Sequence, residues 1–254
     1  MRVVHSITIT AAAMTLLAFS APVVNAETNM DSRIESSAKQ TYVFKTYLQN
    51  DDIKIQSKDG AVTLTGVVSE NFHKSLALET VTGLPGVKSV ENKLEVKDAS
   101  PTTNSDAWLR DKVKVALLFH RSVSATKTEV EVKDGIVTLR GTATSQSQKE
   151  LTAEYARDVE GIKDVNNEMT VFESPKNTHR TVGEKIDDAS ISAQVNMTLL
   201  NHRSTSVLNT TVKTKRGVVT VGGKAKDAAE KDLVTKLVTD INGVKSVRNR
   251  MTIK

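Results

Sequence analysis

The sequence contains no cysteine and few aromatic residues. Aromatic residues make up 4% of its 254 residues, and it has one tryptophan and four prolines. Without cysteine no disulfide bond can brace the fold, and we expect no lipid anchor attached through a cysteine. The shortage of aromatic rings also disfavours a stacking platform for sugars or nucleic-acid bases.

Long apolar runs are also missing, except near the start of the chain. Met1 and Arg2 precede a mostly apolar stretch over residues 7–19, and small residues follow up to Ala26. This order is typical of a secretory signal peptide, so we expect cleavage after Ala26 and a periplasmic location. No later stretch approaches the roughly 18 apolar residues of a membrane helix, so we expect no transmembrane span.

A pattern of glycines recurs three times with constant internal spacing. Each copy reads Gly-x-Val-x-Leu/Val-x-Gly, followed by a further glycine and then Val/Ile-x-x-Val-x-Asn. The copies run from Gly60 to Asn92, from Gly135 to Asn167 and from Gly217 to Asn249, and aspartates precede their first glycines by 29 residues at Asp31, Asp106 and Asp188. Constant units separated by variable gaps predict tandem domains. We expect a signal peptide over residues 1–26, repeats over 27–98, 106–173 and 183–254, and linkers over 99–105 and 174–182.

Every repeat predicts the order helix, strand, strand, helix, strand. Apolar residues recur at helical spacing after each aspartate, which is placed to cap that helix. These residues are Ile34, Ala38 and Tyr42; Leu109, Val113 and Leu117; and Ile191, Val195 and Leu199. Asp-Gly or Arg-Gly then predicts a hairpin. A strand-helix-strand crossover makes the third strand parallel to the second, so the fold class is α+β, with three αββαβ units. Each unit has a three-stranded mixed sheet with two helices on one face.

These motifs resemble the BON domain family (bacterial OsmY and nodulation), and the resemblance covers nearly all of the chain after residue 26. It is similar to the osmotically induced periplasmic members, which have two copies. The resemblance implies a non-enzymatic role: binding to phospholipid surfaces and envelope maintenance under stress. Some members are described as periplasmic chaperones. In an anchored member, the first helix of the second copy contacts anionic phospholipid, and the matching stretch here begins at Asp106.

The predicted first helix of the second repeat carries an additional apolar stripe. Trp108, Lys112, Val115 and Phe119 follow one another at i, i+4, i+7 and i+11, and Arg110 lies nearby. Tryptophan beside lysine suits the headgroup boundary of a membrane. We therefore name Trp108, Arg110, Lys112, Val115 and Phe119 as candidate lipid-binding residues. The same stripe could instead pack against a neighbouring repeat.

The third repeat is basic, whereas the other two are slightly acidic. Residues 183–254 contain 13 lysines and arginines against 7 aspartates and glutamates, a net charge of +6. Strand alternation places part of this charge on the open face of the sheet, where we expect a secondary basic face. Its residues are Lys213, Lys215, Arg248, Arg250 and Lys254. An anionic partner and an ordinary solvated surface are both consistent with it.

No arrangement of residues predicts catalysis, a metal site or a cofactor. His120-Arg121-Ser122 recurs as His202-Arg203-Ser204, and we interpret both as basic residues that complement the dipole at the end of their helix. The three asparagines of the repeat lie in phase with inward residues and are interpreted as structural. We expect a non-enzymatic adaptor for anionic phospholipid surfaces. The alternatives are a periplasmic chaperone for client or envelope proteins and a spacer, and export argues against nucleic acid as a partner.

Overall fold

The computed structural model describes residues 26–97, 104–172, 185–205 and 210–254. The expected signal peptide apart from its last residue, the whole linker 174–182 and most of the linker 99–105 lie outside these ranges and remain predictions. Within the described ranges, no helix is both long and apolar enough to span a bilayer. In the same ranges, no three His, Asp or Glu side chains are grouped to hold a metal ion.

The three repeats share the predicted αββαβ order. The first repeat contains α1 (Ala26–Gln40), α2 (Tyr42–Thr46), β1 (Asp52–Lys58), β2 (Ala61–Val68), α3 (Asn71–Thr82) and β3 (Ser89–Val96). The second contains α4 (Asp106–Leu118), β4 (Thr128–Lys133), β5 (Ile136–Ala143), α5 (Gln146–Arg157), β6 (Asp164–Asn167) and β7 (Thr170–Val171). The third contains α6 (Asp188–Asn201), β8 (Thr210–Lys215), β9 (Val218–Ala225), α7 (Ala228–Thr239), β10 (Ser246–Asn249) and β11 (Thr252–Ile253). The predicted α+β class is confirmed.

Each sheet is mixed, as the crossover rule predicts. In the first repeat β2 pairs antiparallel with β1 and parallel with β3. The other two repeats keep this order but divide the last strand in two. Asparagine stabilises this strand. The Asn92 amide donates to the Lys74 carbonyl of α3 at 2.9 Å and its oxygen accepts from the Leu94 amide. Asn167 and Asn249 make the same pair of bonds.

The repeated aspartate has a different role from the helix cap that we expected. In the second repeat the Ser105 hydroxyl caps α4, and in the third repeat the Asp187 carboxylate caps α6. The Asp106 carboxylate instead accepts the backbone amides of Asp134 and Gly135 at 2.8 and 2.9 Å. Both residues have positive φ, as a type I′ hairpin turn requires. The aspartate therefore fastens the first helix to the hairpin turn, which explains its fixed distance from the glycine.

Asp31 and Asp188 bind their own hairpin turns in the same manner. Asp31 also accepts a bond from the Ser57 hydroxyl at 2.6 Å. This bond, followed by the one from the Gly60 amide, lowers the pKa of Asp31 from its ordinary value. The carboxylate is thus held in the ionised form that the turn amides require.

The predicted first helix of repeat 1 is interrupted at Thr41. Tyr42, which we expected in the core, is only partly buried, whereas Val43 and Phe44 are buried. The interruption frees two backbone amides, and the third repeat accepts both. The Tyr42 amide donates to the Asp187 carboxylate at 2.7 Å, and the Val43 amide donates to the Ser190 hydroxyl at 3.0 Å. Docking against the start of α6 therefore accounts for the break.

The repeats are joined by a shared core. One cluster of buried residues includes side chains from all three repeats, whereas a second belongs to the second repeat. Helix α6 lies at the centre of this assembly, because ten of its 14 residues are buried. It packs against α3 of the first repeat and α4 of the second. All three helical faces are therefore turned towards each other, and the sheets keep their other faces open.

Candidate functional site

Trp108 lies in the first turn of α4 and remains partly exposed. The Ser105 hydroxyl accepts the Trp108 backbone amide at 3.3 Å, which fixes the start of the helix. The indole packs against the edge of the core of the second repeat. Capping therefore holds the ring at a defined point of the surface, half covered by its own repeat.

Lys112 folds over the ring of Trp108. Its ammonium lies 4.4 Å from the ring centroid and 3.9 Å from a carboxylate oxygen of Glu160. Only 14% of the Lys112 side chain is exposed, whereas 76% of Glu160 is exposed. Burial lowers the pKa of Lys112, and Glu160 acts in the opposite direction. The sequence prediction that these two side chains share one surface is consistent with this geometry, which forms a cation–π pair.

Arg110 is close to this pair in sequence, but its guanidinium already forms an ion pair with a neighbouring carboxylate. Its guanidinium donates two bonds, at 3.0 and 3.1 Å, to one oxygen of Asp111. The side chain of Arg110 is 42% exposed. Together with Glu160, Asp111 offsets much of the positive charge near Trp108. The arrangement is suited to a weakly charged interfacial contact rather than to a concentrated anion site.

Val115 and Phe119 lie elsewhere, because the stripe is divided between two environments. They are 2% and 0% exposed and belong to the core that repeats 1 and 3 share. The Phe119 ring contacts the Tyr47 ring edge to face at 5.6 Å between centroids. For these two residues the structure favours the alternative interpretation of the stripe, packing against neighbouring repeats. In this arrangement their side chains are not accessible to a lipid surface.

Sequence reasoning missed a reciprocal contact between the second and third repeats. We expected the basic residues of each His-Arg-Ser motif to complement their own helix. Instead, the guanidinium of Arg121 donates to the carbonyls of Thr239, Ile241 and Val244 at 2.6–2.9 Å. These carbonyls lie at and just beyond the end of α7 in the third repeat. A cation there complements the helix dipole, although the helix belongs to the other repeat.

The third repeat makes the equivalent contact with the second repeat. The Arg203 guanidinium donates to the carbonyls of Arg157, Val159 and Ile162 at the end of α5, and its backbone amide donates to the Asp158 carbonyl at 2.9 Å. We call these two arginine contacts the reciprocal clasp. Repeat 1 has Lys45 and Thr46 at the positions of His120 and Arg121, so it cannot make this clasp. The clasp therefore relates repeats 2 and 3 by an approximate two-fold arrangement.

Aspartates that follow α5 and α7 complete the clasp. The Asp240 carboxylate accepts from the Tyr155 hydroxyl at 2.7 Å and lies 3.1 Å from Nδ1 of His120. Burial acts to raise the pKa of Asp240, but hydrogen bonds from His120, Ser122 and Tyr155 hold it below its ordinary value. His202 lies 3.5 Å from Asp158 in the mirrored position. Both histidines therefore lie at the interface between repeats 2 and 3.

The residues of the expected secondary basic face are all exposed. Lys213 lies on β8 and Arg248 lies on β10, and both are opposite Thr220 of the central strand β9. Lys215 belongs to β8, and Arg250 and Lys254 flank β11. The structure therefore brings them together on the open side of one sheet.

A family model for the BON domain matches three segments of the chain, residues 30–98, 105–172 and 187–254. The chain is similar to Osmotically-inducible protein Y of Escherichia coli (strain K12). The two are 32% identical over 143 residues, which are 55% of this chain and 71% of that protein. It is also similar to Outer membrane lipoprotein DolP of Haemophilus influenzae, at 34% identity over 111 residues, 43% of this chain and 57% of that protein.

Solved structures add a more distant likeness. CdsD, a structural protein of the Type III secretion system of Chlamydia trachomatis, aligns with a TM-score of 0.24 and 18% sequence identity. The alignment covers 84% of this chain and 90% of that one. A likeness this low carries no argument about function. The three family matches cover most of the sequence, and the chain therefore belongs to the BON domain family.

Proposed function

We propose that this protein is a non-enzymatic periplasmic envelope protein that binds anionic phospholipid surfaces, with Trp108 and Lys112 as its main lipid contact. The names of the relatives, an osmotically inducible protein and an outer membrane lipoprotein, support a role in the envelope under stress. The proposed binding is peripheral. It needs no cofactor and no membrane-spanning segment.

One observation carries the choice of site. Trp108 and Lys112 correspond to Ser190 and Gln194 in the third repeat, and both of these are buried in α6. In the first repeat the same positions hold Arg33 and Ser37. Only the second repeat therefore combines an indole and an ammonium on a helix face that its neighbours leave partly open. Such a pair places an apolar ring beside a cation, as the headgroup boundary of an anionic bilayer requires.

Vesicle binding tests this proposal directly. The protein is mixed with phosphatidylcholine vesicles that either contain or lack phosphatidylglycerol, and bound protein is sedimented. Trp108 is the sole tryptophan, so a blue shift of its fluorescence reports insertion at this site. Trp108→Ala should weaken binding about tenfold, because removing about 50 Å² of buried apolar contact costs about 1.3 kcal/mol.

Phe172→Ala is the matched control, since it removes an aromatic side chain that is 66% exposed in the same repeat. It should leave vesicle binding within twofold. Full binding by Trp108→Ala, with no fluorescence shift in the unmodified protein, would reject this helix as the lipid contact. Protection of an aggregating client protein without any vesicle binding would favour the alternative chaperone function instead.

A further inference from the structure

The open face of the third sheet carries a sixth cation and no acid. Strand alternation adds Lys224, which is exposed and lies opposite Thr252. Between Thr210 and Lys254, none of the outward positions on β8 to β11 holds an aspartate or glutamate. We call these six residues the cationic sheet face: Lys213, Lys215, Lys224, Arg248, Arg250 and Lys254.

The charges of this face form a two-dimensional array. Lys213 and Arg248 flank Thr220 on the two outer strands, about 10 Å apart from the usual strand spacing. Lys215 follows Lys213 by two positions along β8, a step of about 7 Å. These separations are comparable with or shorter than the Debye length at physiological salt, about 8 Å. The cations therefore act together on a partner that presents many negative groups.

The equivalent faces of the other repeats neutralise themselves. In the second repeat the Arg140 guanidinium binds Glu168 at 2.9 Å and also binds Glu131, and the latter bond is the larger cause that raises the pKa of Arg140. The corresponding positions in repeat 3 hold Gly222, Arg250 and Lys213. The same scaffold thus replaces two acids by two cations. In the first repeat the ammonium of Lys93 pairs with Glu91 at 3.0 Å.

We propose that the cationic sheet face is a second docking surface, which lies flat against an anionic lipid bilayer. This deepens the phospholipid binding proposed above and rests on it. A bilayer matches the face because its phosphates form a broad plane, as the cations do, whereas a single polymer chain presents a line of charge. The outward positions include no aromatic ring that could stack on a sugar or a base. Lysine and arginine side chains near an anionic leaflet are attracted to its surface and need not insert into the bilayer.

The repeats themselves provide the test variant. Lys213→Glu with Arg250→Glu installs on repeat 3 the two acids that repeat 2 carries in the same register. The control, Lys231→Glu with Lys236→Glu, changes the net charge equally but on α7, which covers the other side of the sheet. Binding to phosphatidylcholine vesicles with phosphatidylglycerol should weaken at least about thirtyfold in the test variant, about 2 kcal/mol from two lost attractions. The control should stay within threefold, and circular dichroism checks that both variants fold.

Each outcome decides the matter. A selective loss in the test variant, with the Trp108 fluorescence shift recovered at high vesicle concentration, supports the cationic sheet face. Equal losses in test and control variants would reduce the effect to net charge and overturn it. Loss with Trp108→Ala alone would leave the proposed function standing and reject this face. Tight binding of soluble polyphosphate through Lys213 and Arg250, without vesicle binding, would also reject the bilayer, and the proposed function with it.

Discussion

Replacing Phe119 by alanine should destabilise the protein rather than abolish its lipid contact. The Phe119 side chain has no exposed surface and completes the core shared by repeats 1 and 3, where it meets Tyr47. Removing a buried phenylalanine ring costs about 3–5 kcal/mol, because apolar burial is lost and a cavity remains. Phe172→Ala makes the same chemical change at a site that is 66% exposed. It should cost less than about 0.5 kcal/mol.

Urea denaturation measures the difference. With a slope of about 2–3 kcal/mol per molar urea, Phe119→Ala should lower the unfolding midpoint by about 1–2 M. Trp108 fluorescence and circular dichroism should both report the loss, since Phe119 links the second repeat to the other two. Equal midpoints for the Phe119→Ala and Phe172→Ala variants would refute burial of this ring between repeats. An unchanged midpoint together with lost vesicle binding would instead make Phe119 a lipid contact.

Three further perturbations test the contacts that hold the repeats together. Arg203→Ala removes one arm of the reciprocal clasp and should lower the free energy of unfolding by about 1–3 kcal/mol in urea titrations, whereas an unchanged value would show that water replaces the arm. Asp106→Ala deprives two turn amides of their acceptor and should cost about 1–2 kcal/mol by the same measurement, with Asp106→Asn losing less. Burial lowers the pKa of His202 from 6.5, with Asp158 opposing, so the unfolded state binds the proton more readily. The free energy of unfolding should therefore fall as the pH drops below 6.5. His202→Gln should make this fall shallower, measured as the urea midpoint at each pH. The pKa of Asp240 is lowered, so this carboxylate stays ionised over the same pH range and does not contribute to the fall.

The fold of a single repeat follows from the sequence because its determinants are local. The Asp134-Gly135 turn and the alternating strand after it each depend on a few neighbouring residues. The role of Asp106 depends on a residue 29 positions away, so a helix-cap interpretation was the nearest local choice and was wrong. A usable signal existed, since a spacing kept through three otherwise different copies indicates contact between its ends.

The sequence pattern could not predict how the repeats pack against one another, and the reason is physical. Contact with lipid and contact with protein both remove apolar surface from water, so both are favourable for an apolar stripe. The spacing of Trp108 and Phe119 is therefore the same whichever partner covers them. One feature of the sequence indicates the reciprocal clasp, but it was not used in the sequence-based predictions. Repeats 2 and 3 both carry His-Arg-Ser and an aspartate at the same offset, Asp158 or Asp240, whereas repeat 1 lacks them.

The position of each repeat in the assembly decides which of its faces remains available. Helix α6 is largely enclosed, so the third repeat cannot offer that helix as a lipid contact, whereas its cationic sheet face stays exposed. The second repeat buries the end of α4 at Phe119 but leaves the start at Trp108 partly open, while its sheet face is neutralised by Arg140 and two glutamates. Charge and exposure are therefore distributed so that repeats 2 and 3 offer different surfaces. The two proposals together therefore assign two unlike contacts to copies of the same scaffold.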